Sequence, residues 1–257
     1  MDVSAYLKRL NYRGSTQPTV ETLRALHRAH LLAVPFENLD IHLGRPIVLD
    51  EGALFDKIIS SRRGGYCYEL NGLFAWLLRQ LGYRVTMFGA VTNTTYRGGG
   101  LDLDHLVLLV ELGERWIADV GFGDAYRLPL RLDERGEQHG AGNTYRIDQE
   151  DDHWALRNHE TGEWELSYTF SLTPHQLTDF EEKNHYWQTG TESSFRRKRI
   201  CSRAVAGGRI SLSDDRLIIT RKGQRHETPL AGEQDFVRAL RKHFGIAFQG
   251  GQSLQWK

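Results

Sequence analysis

The chain has 257 residues and carries 33 Lys and Arg against 33 Asp and Glu, a formal net charge of zero with histidine neutral. That balance lacks the basic excess a nucleic-acid-binding protein needs, and the longest apolar run, residues 73–78, falls far short of the roughly 20 residues of a membrane helix. With 40% hydrophobic and 26% charged residues the composition is that of a globular protein with a real core, no signal-peptide pattern stands in residues 1–11, and a cytoplasmic protein is expected in which both cysteines, Cys67 and Cys201, remain thiols.

Thr19 reads as the cap of a helix on which Leu23, Leu26, His30 and Leu31 recur at helical spacing up to the break at Pro35. A second helix starts after Asp50, places Leu54, Phe55, Ile58 and Ile59 on one face, and stops at Gly64 and Gly65. The third carries the clearest stripe in the sequence, Leu70, Leu73, Phe74, Leu77, Leu78 and Leu81, closed by Gly82. From residue 83 the period becomes that of strands. Segments 83–92, 106–112, 116–120, 145–149, 154–158 and 164–170 are separated by Gly, Asn and Asp clusters, the pattern of an antiparallel sheet or barrel. A polar helical stretch over 174–183 follows, then a hairpin pairing 209–212 with 217–220. A final helix turns Phe236, Val237, Leu240 and Phe244 inward and ends at Gly245. Helices, then strands, then a small mixed segment make an α+β order and not an alternating βαβ one.

Cys67 follows Arg63-Gly64-Gly65-Tyr66 and stands at the first turn of the strongest helix. Unpaired amides and the positive end of the helix dipole favour a thiolate there. The plain alternative is a small buried hydrophobe on the apolar stripe, three residues before Leu70. A nucleophilic cysteine needs a base, and His105 opens an apolar strand. Asp119 sits in the next one, where an acid among apolar residues is costly unless paired. Turn geometry decides whether they meet. A three-residue loop 111–113 with Gly113 at positive φ puts His105 directly opposite Asp119, and the same loop one residue further on makes them diagonal neighbours on one face. A two-residue loop separates them onto opposite faces. Cys201 has neither glycines nor a helix start beside it and reads as structural. No spacing of Cys and His suits a metal, and none is expected.

The segment Arg62-Arg63-Gly64-Gly65-Tyr66-Cys67-Tyr68-Glu69-Leu70-Asn71-Gly72 resembles the active-cysteine motif of the bacterial arylamine N-acetyltransferase family. Val34-Pro35-Phe36-Glu37-Asn38-Leu39, Asp104-His105-Leu106 and Trp116-Ile117-Ala118-Asp119-Val120-Gly121-Phe122-Gly123 are similar to further motifs of that family, in the same order over residues 34–123. The resemblance implies an N-terminal helical bundle with the nucleophilic cysteine (1–82), a central antiparallel β-barrel with the histidine and aspartate (83–187) and a C-terminal α/β lid (188–257), around a cysteine-protease-like triad. It implies ping-pong transfer of an acetyl group from acetyl-CoA, a co-substrate and not a bound cofactor, through an acetyl-cysteine. The acceptor is then an arylamine, arylhydrazine or N-hydroxyarylamine. Cys67, His105 and Asp119 become nucleophile, base and orienting carboxylate. Phe36, Phe122 and Phe195 line the aromatic acceptor pocket, and Gly121 and Gly123 let the backbone approach the CoA pyrophosphate. Glu37 and Arg63 form an ion pair behind the cysteine loop.

The run Arg196-Arg197-Lys198-Arg199 reads as a solvated basic face, with contact to CoA phosphates as the alternative. The competing functions are a related acyltransferase or amide synthase using another acyl donor, and a cysteine hydrolase of papain or transglutaminase type, which shares the Cys, His, Asp order. Neither nucleic acid nor membrane is an expected partner, and a monomer or homodimer is expected. The chain ends at Trp256-Lys257 soon after the last helix, which is expected to trim the lid and open the pocket.

Overall fold

The computed structural model describes residues 1–92, 103–123, 126–140, 143–159 and 162–248, so Asp124, Trp256 and Lys257 lie outside the described residues. Helices come first. α1 (Val3–Arg9) starts on Asp2, whose carboxylate accepts the amides of Ser4 and Ala5, and α2 (Val20–Ala33) starts on Thr19, whose hydroxyl accepts the Thr22 amide. A two-residue strand β1 (Phe36–Glu37) and a short α3 (Leu39–His42) precede α4 (Glu51–Phe55), which runs on as a π-helical turn over Asp56–Ser60. α5 (Cys67–Gln80) is the central helix: every residue from Cys67 to Leu78 is buried, and Gly82 closes its end at φ +88°. An all-round burial of this kind needs partners on both sides. The other helices cover one side, and the barrel covers the other.

The barrel strands are β2 (Arg84–Thr92), β3 (His105–Leu112), β4 (Glu114–Ala118), β5 (Leu130–Arg131), β6 (Gln138–Gly140), β7 (Asn143–Glu150), β8 (His153–His159) and β9 (Trp164–Phe170). They pair antiparallel in the order β5-β4-β3-β2-β9-β8-β7-β6. The two short end strands meet through one side chain, since the Gln138 amide accepts from the Arg131 N–H at 2.7 Å and donates to its carbonyl at 2.9 Å. The barrel is thus nearly closed. β3 shows why its sequence is continuously apolar: Leu106, Leu108 and Val110 pack on the helical side, while Val107 and Leu109 fill the barrel core. At about 1.5–3 kcal/mol for each fully buried large aliphatic side chain, this two-sided strand and α5 hold the two layers together.

The remainder contains a 3₁₀ turn (Leu177–Phe180), α6 (Glu181–Thr189), α7 (Ser194–Arg197), strands β10 (Ile200–Val205), β11 (Gly208–Ser213), β12 (Arg216–Arg221) and β13 (Gln224–Pro229), and α8 (Glu233–Ala239) with a π-helical turn ending at Gly245. The polar helix expected over 174–183 starts later, because the Asp179 carboxylate accepts the Gln176 amide and the first helical turn forms beyond it. The hairpin has the expected register, with Arg209 opposite Thr220 and Leu212 opposite Leu217. The second sheet runs β1-β10-β11-β12-β13, so the N-terminal Phe36 and Glu37 pair with Ser202 and Cys201. Asn38 ties the same junction. Its amide donates to the carbonyls of Phe195 and Lys198 at 2.8 and 2.7 Å and accepts the Ile200 N–H at 2.8 Å.

Candidate active site

The loop before α5 is shaped by close approach. A Cβ on Gly64 would lie 2.0 Å from the Pro35 carbonyl oxygen, and one on Gly65 would lie 2.7 Å from the Glu69 Cβ. Positive φ falls instead on Arg62, at 54°. Behind the loop Arg63 meets Glu37, Nε and Nη2 both standing 2.8 Å from Oε1. Glu37 is fully buried and also accepts the amide of Leu39 at 2.8 Å. Arg9 fastens the loop from below, donating to the carbonyls of Ala33, Ile58 and Arg63 at 2.8, 3.2 and 3.3 Å.

Cys67 is the first residue of α5, and one turn later Asn71 points the same way. Its amide donates to the Leu106 carbonyl at 2.6 Å and to Asp119 Oδ1 at 2.8 Å, and accepts the Val120 N–H at 2.8 Å. Asn71 therefore joins the cysteine helix to the ends of both strands. The β3–β4 hairpin pairs Leu108 with Ala118 and turns at Gly113, whose φ is +78°. This is the loop one residue further on, and it makes His105 and Asp119 diagonal neighbours on one face. Their side chains meet, with His105 Nε2 at 2.7 Å from Asp119 Oδ2.

Asp119 is completely buried, which by itself raises a carboxyl. The charge and hydrogen bond of His105, with donors from Asn71 and the Gly121 amide, nevertheless hold it below its ordinary value. Two further side chains were not singled out in the sequence. His27 accepts the Asp119 N–H on Nε2 at 3.1 Å and donates from Nδ1 to the Arg127 carbonyl at 3.2 Å. Burial keeps it neutral by lowering it to about 4. Tyr168 sets its ring 5.5 Å from that of His105 and its hydroxyl 3.2 Å from that of Tyr126. Asn71 had a sequence signal, a polar residue four places after Cys67 on the helix's buried face. His27 and Tyr168 had none beyond being polar groups in apolar segments.

The Cys67 thiol does not follow the expectation from helix position alone. Burial first, and then the charge of Asp119, push it up, while the amides of Tyr68 and Leu106 pull it down. The Tyr68 amide is one of the first-turn donors that no intrahelical carbonyl can satisfy.

The aromatic candidates fall in two places. Phe122 lies edge-on to His105 at 5.2 Å, and Phe36 pairs with Phe195 at 6.0 Å beside Tyr66 and Trp187. Gly121 packs directly on the start of α5, for a Cβ there would stand 2.7 Å from the Cys67 Cα. Beside Gly123, at φ +58°, no described residue comes within 4 Å of where a Cβ would stand. Arg199 departs from the expected basic face: it is buried and ion-paired with Asp214 at 2.5 Å, whereas Arg196, Arg197 and Lys198 are exposed. Cys201 is wholly buried among the residues of the second sheet's core. Among the described residues no cluster of three His, Cys, Asp or Glu could hold a metal ion, and no helix is long and apolar enough to cross a membrane.

The sequence profile of a family described as N-acetyltransferase matches residues 19–253. The arylamine N-acetyltransferase / N-hydroxyarylamine O-acetyltransferase of Salmonella typhimurium is 37% identical over 248 residues, spanning 94% of this chain and 88% of the relative. The arylamine N-acetyltransferase of Escherichia coli is 38% identical over 213 residues, 81% of this chain and 75% of the relative. Among solved structures, the Salmonella typhimurium arylamine N-acetyltransferase superimposes with a TM-score of 0.91 at 34% identity, covering 98% of this chain and 94% of that one. The Mycobacterium marinum arylamine N-acetyltransferase in complex with CoA superimposes at 0.88 with 34% identity, over 95% and 93% of the two chains.

Proposed function

From the premise that this chain belongs to the arylamine N-acetyltransferase family, we propose that Cys67, His105 and Asp119 carry its reaction in two half-steps through an acetyl-cysteine. The protein is an acetyl-CoA-dependent arylamine acetyltransferase, and acetyl-CoA is a co-substrate. The observation that carries the residue assignment is the junction at Asn71, which brings the first turn of α5 to a buried His105–Asp119 pair. In the first half-step Cys67 Sγ attacks the thioester carbonyl, and the CoA thiolate leaves, taking a proton if it needs one from His105 Nδ1, the nitrogen that does not face Asp119. In the second the acceptor nitrogen attacks the acetyl-cysteine, its proton passes to His105, and the Cys67 thiolate departs. Burial disfavours an isolated thiolate at Cys67, so the active form is the ion pair of thiolate and imidazolium, which Asp119 stabilises. The amides of Tyr68 and Leu106, which favour the Cys67 thiolate, are the candidates for holding the oxyanion.

Phe122 beside His105 and the Phe36–Phe195 pair beside Tyr66 offer flat apolar surfaces suited to an aryl acceptor, arylhydrazines and N-hydroxyarylamines included, and they exclude the water that would hydrolyse the intermediate. This enclosure favours transfer over the hydrolase reading. The Gly121 amide is occupied by Asp119 Oδ1 at 2.9 Å, so the approach to the CoA pyrophosphate is assigned to the backbone at Gly123. The three triad residues come from one chain, a reading equally compatible with a monomer or a homodimer, and two unpaired thiols suit the reducing cytoplasm.

Intact-mass spectrometry after acetyl-CoA alone tests the assignment. One acetyl group on the wild type and none on Cys67→Ser is expected. An unmodified wild type under conditions where arylamine is turned over would remove the acetyl-cysteine from the mechanism.

A further inference from the structure

Glu69 stands in the first turn of the cysteine helix, two residues after the nucleophile, with no exposed surface. One carboxylate oxygen accepts the N–H of Tyr66, the residue immediately before Cys67, at 3.0 Å. The other accepts from Lys57 Nζ at 2.6 Å. Gly65 leaves the room for it, since a Cβ there would lie 2.8 Å from a Glu69 oxygen. Lys57 in turn reaches Asp40 at 2.7 Å, and Asp40 stands 3.0 Å from the Arg63 that grips Glu37. The carboxylate thus links the turn that aims the thiol to a buried chain of charges from three other segments.

We propose that ionised Glu69 is a positioning residue for the nucleophile, holding the Tyr66 amide and Lys57 at once and so fixing the turn from which Cys67 projects. The inference rests on Cys67 being the nucleophile. Its chemical core is a count of acceptors. A carboxylate offers both oxygens to the two donors, whereas a carboxylic acid or an amide keeps one oxygen as acceptor and turns a donor toward the second. Loss of the charge therefore costs one of the two anchors.

The groups facing Glu69 are Lys57 from the π-helical turn, Asp40 from α3, Glu37 from β1, Arg63 from the loop, and Tyr66 and Cys67 beside it. Burial is the largest influence and raises Glu69, the charge of Glu37 adds to it, and Lys57 and the Tyr66 amide oppose it, leaving it at about 7. The anchoring is accordingly half present at about pH 7, approaches completeness about one pH unit above and is lost as pH falls through that value.

The test is the rate at which iodoacetamide alkylates Cys67, followed peptide by peptide so that Cys201 is counted separately, from pH 6 to 8.5 in the wild type, Glu69→Gln and Lys57→Met. The charge of Glu69 raises the Cys67 thiol, so its loss alone would favour the thiolate and speed alkylation, and a fall in the ratio of variant to wild type reports lost positioning. Glu69→Gln is expected to match the wild type at pH 6 and to fall to between about one third and one tenth of it above pH 8, with a midpoint near 7. Lys57→Met removes the cation that lowers Glu69 and is expected to move that midpoint upward. A Glu69→Gln ratio constant across the range, whether near one or uniformly low, would mean a packing role only and would overturn the proposal. A wild-type Cys67 no more reactive than Cys201 would instead strike the nucleophile assignment, so the two failures are distinguishable.

Discussion

Asp119 keeps its charge in a site without exposed surface because donors from three directions converge on it: His105, Asn71 and the Gly121 amide. A buried carboxylate without them would take up a proton and lose its hold on the imidazole. Asn71 is the donor that also binds the strands to the cysteine helix, so it is where electrostatics and positioning can be separated. Asn71→Asp keeps the size of the side chain and an acceptor for the Val120 amide but sets a second carboxylate about where the amide donor stood, 2.8 Å from Asp119. Two carboxylates at that distance share one proton near neutral pH. The acid limb of the acetylation rate is expected to move to higher pH, and the rate at pH 7 to fall by at least about tenfold, roughly 1.4 kcal/mol. An unchanged pH profile of acetyl-cysteine formation would show that Asn71 does not govern Asp119.

The turn after β4 brings two glycines to the site for different physical reasons, and substitution distinguishes them. Alanine at 121 would press its Cβ to 2.7 Å from the Cys67 Cα and 3.0 Å from the Cys67 carbonyl, backbone atoms that cannot swing aside. Gly121→Ala is expected to cut acetylation of Cys67 more than tenfold and to lower the melting temperature. Gly123→Ala meets no described residue and carries the cost of a left-handed backbone, about 1 kcal/mol; it is expected to acetylate normally once CoA is saturating, with a raised KM for acetyl-CoA. Equal rates for the two variants and the wild type would refute both assignments. Elements such as α5 and the β3–β4 hairpin were legible in the sequence because their apolar period runs through many residues and ends on glycines with the required φ. α1 was not: it buries only Tyr6 and Arg9, and the carbonyls Arg9 serves belong to other segments. β1, β5 and β6 span two or three residues each, too few for a period, and exist because a partner strand lies alongside. The meeting of His105 with Asp119 could be read from motif and register, whereas the contact of His27 with the Asp119 amide, made across 92 positions of sequence, is a consequence of packing.

At the scale of the whole molecule, the buried groups that support the site also set how stability varies with pH. His27 has its folded value depressed to about 4 by burial, and His30, fully buried with neither ring nitrogen hydrogen-bonded among the described residues, is depressed as well. A histidine so lowered contributes stability present above its unfolded value near 6.5 and lost as pH falls through the folded one, about 3 kcal/mol for His27. Glu69 has the opposite sign. Its folded value is raised from 4.5 to about 7, so its contribution is present below pH 4.5 and is lost as pH rises toward 7, again about 3 kcal/mol. Two histidines oppose one glutamate, and His42 and His243, also lowered, side with the histidines. Between pH 4.5 and 6.5 the unfolded chain therefore binds more protons than the folded one, and stability rises with pH. Urea midpoints at pH 4.5, 5.5 and 6.5 are expected to increase for the wild type, to flatten in His27→Phe, where His30 is left to oppose Glu69, and to steepen in Glu69→Gln, where the opposing group is gone. A slope that both variants leave untouched would mean that neither buried group changes its proton affinity on folding. The opposed signs make that outcome hard to produce by general destabilisation, because a loss of packing lowers all three midpoints together while a change in proton linkage rotates the line.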